Sequence, residues 1–287
     1  MTIPANETDW NQIWGQQMTQ WRECAGQSCR DFWDDEESAA VYAEKHAKQN
    51  HKRVERTVTD LELKPEFRVL DIGAGPGNLA LPMAARVAHV TTVEPAAGMN
   101  RIMAREMIRQ NISNVRPVKK SWEEVCPDQD LEGPYDLVLA SMSLGMADIR
   151  GAVEKMEAVC CGRVVLFWHA GIPGWEQMPR ALWPTLFNAP YHGGPKSDVL
   201  FQVLYQMEIY PQIQVTRNCF SEVFPSMAAA VAFYRHRFPH IRDEHVPQVE
   251  RYIREHCRKR GEEWIMDFDH ASMGFSWTPR SGQRRAA

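Results

Sequence analysis

No part of the 287-residue chain holds an apolar run near the roughly 18–20 residues that a helix needs to cross a bilayer; the best are short pieces such as VVLFW at 164–168. No membrane contact is expected. The start, MTIPANETDW, lacks the basic and then apolar segments of a signal peptide, and seven cysteines are an odd number for a disulfide framework. Both absences point to a reducing, cytoplasmic setting. An excess of positive charge is missing too: 33 basic against 37 acidic residues leave a net charge of −4, so there is no electrostatic reason to expect nucleic acid as a partner. Internal repeats and low-complexity tracts are absent. With 44% hydrophobic and 24% charged residues the composition is near the globular average, which excludes a collagenous, coiled-coil or wholly disordered chain. Cys160-Cys161 has no second pair at zinc spacing, and Cys24 and Cys29 stand near no histidine pattern, so no metal centre is expected.

What is abundant is bulk. Ten Trp and fourteen Met can fill a core or line a pocket for an apolar, aromatic or cationic ligand. Trp10, Trp14 and Trp21 fall on one face of a predicted helix. From residue 34 to about 61, an acidic start, then Ala39, Val41, Tyr42 and Ala43, then basic residues predict another helix whose charges complement its dipole. Residues 1–60 therefore read as a helical N-terminal layer. Across 61–171, strands predicted at 68–72, 87–93, 115–118, 135–140 and 163–168 alternate with helices at 78–86, 98–110 and 147–159. That spacing implies βαβ units, hence an α/β fold with a sheet of mainly parallel strands and helices on both faces.

Beyond His169 the alternation becomes irregular. Prolines at 173, 179, 184, 190 and 195 and the Gly193-Gly194 pair break 172–197 into a loop with short helices, read as a lid over the sheet and followed by a connecting helix up to 211. Residues 212–278 are expected to finish the sheet with strands near 213–217 and 271–278 around inserted helices within 218–262. One of these helices is capped by Ser226; the other starts near Pro247 and stops at Gly261. The tail 279–287 is expected to be disordered.

The strongest chemical signal is Val69-Leu70-Asp71-Ile72-Gly73-Ala74-Gly75-Pro76-Gly77-Asn78. A strand ends in an acid, glycines follow at alternate positions, and a helix begins, which brings bare backbone against a ligand at the carboxyl edge of a parallel sheet. A nicotinamide site would prefer G-x-G-x-x-G with a diphosphate on the helix N-terminus; here the spacing is G-x-G-x-G, and Asp71 repels phosphate but suits an ammonium group. The ligand should carry a cation and no diphosphate. Glu94 ends the second strand, 21 positions after Gly73, where an acid can accept hydrogen bonds from both hydroxyls of a ribose.

Asp71-x-Gly73-x-Gly75-x-Gly77, Glu94-Pro95 with Met99, Ser121-Trp122-Glu123 after the third strand, and Tyr135-Asp136-Leu137-Val138 in the fourth together resemble the class I S-adenosylmethionine-dependent methyltransferases over about 65–170. The resemblance implies a Rossmann-like core and S-adenosyl-L-methionine as cofactor. It further implies that Asp71, Gly73, Gly75 and Gly77 hold the methionine end, that Glu94, Pro95 and Met99 take the ribose and one adenine face, and that Ser121, Trp122 and Glu123 lie at the adenine edge. Ser141 and Met142, after the fourth strand, would lie under the sulfonium.

His169, immediately after the fifth strand, is the candidate general base, although methyl transfer from a sulfonium needs alignment and desolvation more than a dedicated base. Trp168, Trp175, Trp183 and Tyr191 either pack the lid or receive a planar or cationic acceptor. The run Ala140-Ser141-Met142-Ser143 is no Asn-Pro-Pro-Tyr tetrapeptide, which disfavours methylation of an exocyclic base amine by that motif. The expectation is a small-molecule methyl acceptor. The rivals are an RNA or protein methyltransferase, for which Arg101, Arg105, Arg109, Arg116, Lys119 and Lys120 would supply a basic face, and a non-catalytic cofactor-binding protein.

Overall fold

The protein is described here by a computed structural model covering residues 8–26, 29–49 and 51–279. In chain order its elements are α1 (Trp10–Ala25), α2 (Cys29–Asp34), α3 (Glu36–Gln49), α4 (His51–Asp60), β1 (Arg68–Ile72), α5 (Ala80–Ala84), β2 (His89–Val93), α6 (Ala97–Arg109), β3 (Val115–Val118), α7 (Pro127–Asp130) and β4 (Tyr135–Ser141). There follow α8 (Ile149–Val159), β5 (Cys160–His169), α9 (Gly174–Phe187), α10 (Ser197–Gln206), β6 (Gln212–Phe224), α11 (Met227–Arg237), a 3₁₀ turn at 243–245, α12 (Val246–His256), β7 (Arg258–Arg260) and β8 (Glu263–Trp277). The strands form a sheet in the order β3-β2-β1-β4-β5-β8-β6, with β7 paired to β8.

The chain divides into two compact units. Among the described residues the first comprises 29–49, 51–168, 207–214 and 274–279, and the second 8–26, 169–206 and 215–273. In the first unit β1 runs parallel to both β2 and β4, β3 parallel to β2, and β5 parallel to β4. These strands read as near-continuous apolar runs because helices cover both faces, leaving no side of the sheet to solvent. Their core joins Val69, Leu137, Leu139 and Val165 to Met83 of α5 and Met103 of α6. Capping fixes where the helices start. Asp148 accepts from Gly151 N at 3.0 Å to open α8, and Asp34, at the end of α2, accepts from Ala97 N at 2.6 Å to open α6.

The second unit has its own core, centred on Met178, Trp183, Tyr234, Phe238, Val249 and Phe268. Asp9 caps α1, which ends at Gly26 in the left-handed region, and buries Trp14 and Met18. Ser226 caps α11 through Ala229 N, as the sequence predicts. No helix among the described residues is long and apolar enough to cross a membrane.

Several boundaries differ from the sequence reading, each for a local reason. Of the single helix expected over 34–61, the described residues carry helix at 36–49 (α3) and 51–60 (α4), preceded by the short α2. The helix expected at 78–86 shortens to α5 because residues up to 79 belong to the glycine turn. The proline-rich lid segment contains a 14-residue helix, α9, with Pro179 and Pro184 inside it. Each proline forfeits one helical hydrogen bond, but burial of Met178 and Trp183 in the second core holds the helix together. The strands near 213–217 and 271–278 are much longer than expected, extending to Phe224 in β6 and beginning at Glu263 in β8. Gly261 (φ 61°) does not end a helix: it turns β7 into β8, while α12 has stopped at His256. Of the tail expected to be disordered, residues 280–287 lie outside the described residues.

Candidate functional site

The order β3-β2-β1-β4-β5 reverses its direction of growth between β1 and β4, so the connections leaving these two strands diverge and open a crevice at their carboxyl ends. The glycine loop lies there. Gly73 N donates to Val93 O at 2.7 Å and Gly77 N to Ala74 O at 3.1 Å, winding the chain tightly from β1 toward α5. The three glycines answer three different demands. At Gly73 (φ 69°) a Cβ would overlap Ser143 Cβ, and at Gly77 (φ 87°) it would come within 2.8 Å of Leu81 and 3.1 Å of Met103. At Gly75 (φ 57°) a Cβ would meet nothing within 4 Å. Packing therefore requires the outer two, whereas the middle one leaves clear space over the backbone.

Glu94 is buried at the end of β2, and its two carboxylate oxygens each accept a backbone hydrogen bond, from Gly75 N and Ala96 N, both at 2.8 Å. Burial raises its pKa, and these two bonds oppose the shift. Asp71 is buried one residue before the end of β1; burial, then the charge of Glu94, push its carboxyl up to about 7. A buried pair of carboxylates facing a glycine loop is a place for a cation-bearing ligand, as the sequence reading expects.

Two polar residues that the sequence reading passed over support this arrangement. Asn100, on the buried face of α6, donates from Nδ2 to the carbonyls of Glu94 and Ala96, both at 2.8 Å. Ser143 Oγ donates to Ile72 O at 2.6 Å, tying the end of β1 to the segment after β4. A polar residue on an otherwise apolar helix face was the available signal for Asn100; Ser143 carried none. Met142 adopts φ 56° beside Ser141 at the end of β4, and its N–H donates to Phe167 O at 3.0 Å. A left-handed backbone at a non-glycine residue stores strain of order 1–3 kcal/mol.

Pro95 and Met99 sit on the Glu94 side, Met99 packed with Ala96, Ala39, Trp33 and Tyr42. At the end of β3, Ser121 N donates to Glu124 Oε2 at 2.9 Å. Trp122 is committed to the core: its Nε1 donates to Ala152 O at 3.1 Å, and Lys155 lies over its ring while donating to the carbonyls of Trp122, Glu123 and Val125. The structure thus brings together Asp71, the glycines, Glu94 and Met99, and turns the Trp122 indole to packing. His169 belongs to the second unit, its ring centroid 5.1 Å from that of His270 and 6.4 Å from that of Trp175.

Comparison with known proteins bears on the fold and the cofactor. Residues 69–161 match the family model described as a methyltransferase domain. That segment is similar to the S-adenosylmethionine-dependent methyltransferases of Rossmann-like fold, the family that the glycine loop and its two acids resemble. In solved structures the same fold recurs in the YcgJ protein of Bacillus subtilis (TM-score 0.51, 16% identity, 78% of this chain and 98% of that one). It recurs again in a Haemonchus contortus phosphoethanolamine N-methyltransferase crystallised with S-adenosylhomocysteine (TM-score 0.53, 13% identity, 87% and 59%). The family's cofactor is S-adenosyl-L-methionine, and the residues present fit it: an open backbone at Gly75, an acid placed for a ribose, and an acid suited to an ammonium.

Among curated relatives, the 23S rRNA (uracil(1939)-C(5))-methyltransferase of Methylococcus capsulatus is 38% identical over 130 residues, 43% of this chain and 29% of that protein. The protein of the same name from Klebsiella pneumoniae is 37% identical over 75 residues, 26% and 17%. An uncharacterized Haemophilus influenzae protein is 26% identical over 184 residues, 60% and 63%. The chain spans less than two thirds of the length of each of these relatives. They correct one expectation: net charge does not remove nucleic acid from consideration, since several relatives are named as rRNA methyltransferases, and a small-molecule acceptor does not stand as the partner. Charge counting fails here because net charge averages over the whole surface and says nothing about a local acceptor site.

Proposed function

We propose that this chain transfers a methyl group from S-adenosyl-L-methionine, held in the crevice between the ends of β1 and β4, to a nucleophilic acceptor. The observation that carries the reading is the open backbone at Gly75 beside a buried Glu94 whose carboxylate already fixes that loop. Bound there, the cofactor supplies a methyl group made electrophilic by a sulfonium. In this reading Glu94 holds the ribose, Asp71 and Gly73 to Gly77 hold the methionine end, Ser121 and Glu123 stand at the adenine edge, and Ser141 and Met142 face the sulfonium. Glu94→Ala should weaken cofactor binding by about 1.5–3 kcal/mol, the scale for losing hydrogen bonds to a charged group, with the sheet intact. Calorimetry with S-adenosylhomocysteine measures this, and unchanged affinity would remove Glu94 from the site.

His169 enters the reaction differently from the sequence expectation. Burial, followed by the charges of His270, Lys196 and Arg237, pushes its pKa down to about 3, so the imidazole is neutral throughout the physiological range and its protonated form is disfavoured. A base works best with a pKa near the operating pH. We therefore propose that alignment and exclusion of water drive the transfer. His169→Gln should keep turnover within about threefold, with no change in the pH profile between 5 and 8; a loss on the order of 10²-fold would restore the histidine as base.

For the acceptor, the names of the rRNA methyltransferase relatives favour RNA. The basic residues offered for such a face are largely paired within the chain: Arg101 and Arg105 with Glu36, Arg109 with Glu106, Arg116 with Glu132 and Lys120 with Asp130. An RNA acceptor would then be held with only a shallow dependence on salt. Labelled S-adenosylmethionine, incubated with the protein and with separated RNA, protein and low-mass fractions of a cell extract, tests this. Label in RNA supports the reading, and label confined to either other fraction overturns it.

A further inference from the structure

The N-terminal helices supply something to the site that no motif marks. α2 and α3 are clamped to the first turn of α6, which begins two residues after Pro95. Asp34 accepts from Ala97 N at 2.6 Å, Glu36 pairs with both Arg101 and Arg105, and Gly98 is a glycine because a Cβ there would come within 2.6 Å of the carbonyl oxygen of Trp33. This clamp places two aromatic rings. Trp33 and Tyr42 lie 4.7 Å apart, centroid to centroid, and both pack on the cluster of Ala39, Ala96 and Met99. Met99 is the residue assigned by resemblance to one face of the adenine.

Burial pushes the Tyr42 phenol up to about 12, with the charge of Arg53 opposing the shift and that of Glu94 adding to it. On the other flank of the site, Trp122 is held by Ala152 and covered by Lys155. Trp33 and Tyr42, from the N-terminal helices, thus offer aromatic surface beside Met99.

We propose that Trp33 and Tyr42 are cofactor-binding residues, which wall the adenosine half of S-adenosylmethionine through their rings beside Met99. The inference rests on the cofactor reading above. It gives the N-terminal layer a role in the site: the layer excludes water from Glu94, so the hydrogen bonds of that acid to a ribose form in a desolvated place, where they are stronger. It also makes α2 and α3 part of cofactor affinity, although the matched methyltransferase-domain segment starts only at residue 69.

The test is a titration of the full chain with S-adenosylhomocysteine and, separately, with adenosine. Trp33→Ala and Tyr42→Ala should each weaken both ligands by at least about tenfold and to the same extent for the two, the scale of a lost base–aromatic stack. Tyr42→Phe, which keeps the ring, should recover most of that loss. The quench of tryptophan fluorescence by S-adenosylhomocysteine should shrink in Trp33→Phe, a signal that a purely structural residue would not lose. Circular dichroism and melting establish that each variant is folded; if an alanine variant is not, the two phenylalanine variants carry the test. Wild-type affinity in the folded alanine variants, or an unchanged quench in Trp33→Phe, overturns the inference while leaving the cofactor reading in place, provided Glu94→Ala loses binding in the same assay. Failure of the unmodified chain to bind either ligand would overturn that reading itself.

Discussion

Asp71→Asn should raise the melting temperature of the cofactor-free protein at pH 8 by about 3–6 °C, and the gain should shrink as the pH falls from 7 and vanish near pH 4. The folded chain raises the Asp71 carboxyl from 3.8 to about 7, so it binds that proton more tightly than the unfolded chain does. Between those two values the folded state holds more protons, and stability falls as the pH rises through the window. Above pH 7 the ionised, buried carboxylate costs on the order of 4 kcal/mol, of which a neutral but still polar Asn should recover about 1–2 kcal/mol. A thermal melt across pH 4–8 measures it. Equal gains at pH 4 and pH 8 would show that the charge is not what costs stability.

The same substitution should damage function. In the proposed reading an ionised Asp71 pairs with the ammonium of the cofactor and a protonated one does not, so wild-type affinity should rise by roughly tenfold from pH 5.5 to 7, a range in which an α-amino group stays charged. In Asp71→Asn the affinity should be flat over that range and about tenfold weaker at pH 7. A buried acid whose ionisation costs stability, placed at the carboxyl end of a strand, fits a role in binding better than one in folding.

The glycine loop should separate folding from binding even more sharply. Gly73→Val should destabilise the chain by about 3 kcal/mol or more, because the branched side chain must occupy a left-handed backbone and displace Ser143, whose hydroxyl ties β1 to the segment after β4. Gly75→Val pays only the backbone term, about 1–2 kcal/mol, since no protein atom lies within 4 Å of its Cβ. It should remain folded and yet lose cofactor affinity by 10²-fold or more, on the order of 3 kcal/mol, because the side chain fills the space where a ligand would approach the backbone. Urea melts beside calorimetry distinguish the two. Normal affinity in a folded Gly75→Val would reduce the loop to an ordinary turn.

The motif was legible because it needs only neighbours in sequence: a buried strand ending in an acid, glycines where the chain must turn, and a second acid one strand later. What each glycine does was not legible, since the neighbour that decides it comes from elsewhere, Ser143 for Gly73 and Met103 for Gly77. Trp122 shows the same limit. Its position after β3 fits an adenine edge, but α8 supplies the carbonyl that takes its N–H and the lysine that covers its ring. Pro179 and Pro184 misled in the opposite direction: local propensity breaks a helix there, and the buried face of α9 holds it together.

Sequence alone determined the alternation of strands and helices across 68–168 and the cofactor class, because short-range periodicity and turn chemistry set both of them. Tertiary structure decided the rest. The burial of Asp71, and after it the nearness of Glu94, which together lift the Asp71 carboxyl to about 7, exist only once the strands assemble and β1 pairs with β2. The neutrality of His169 is imposed by burial near His270, Lys196 and Arg237, and the aromatic wall at Met99 forms only when α2 and α3 fold back on α6. Burial and electrostatic coupling depend on distances between residues far apart in the chain, which local sequence patterns do not encode.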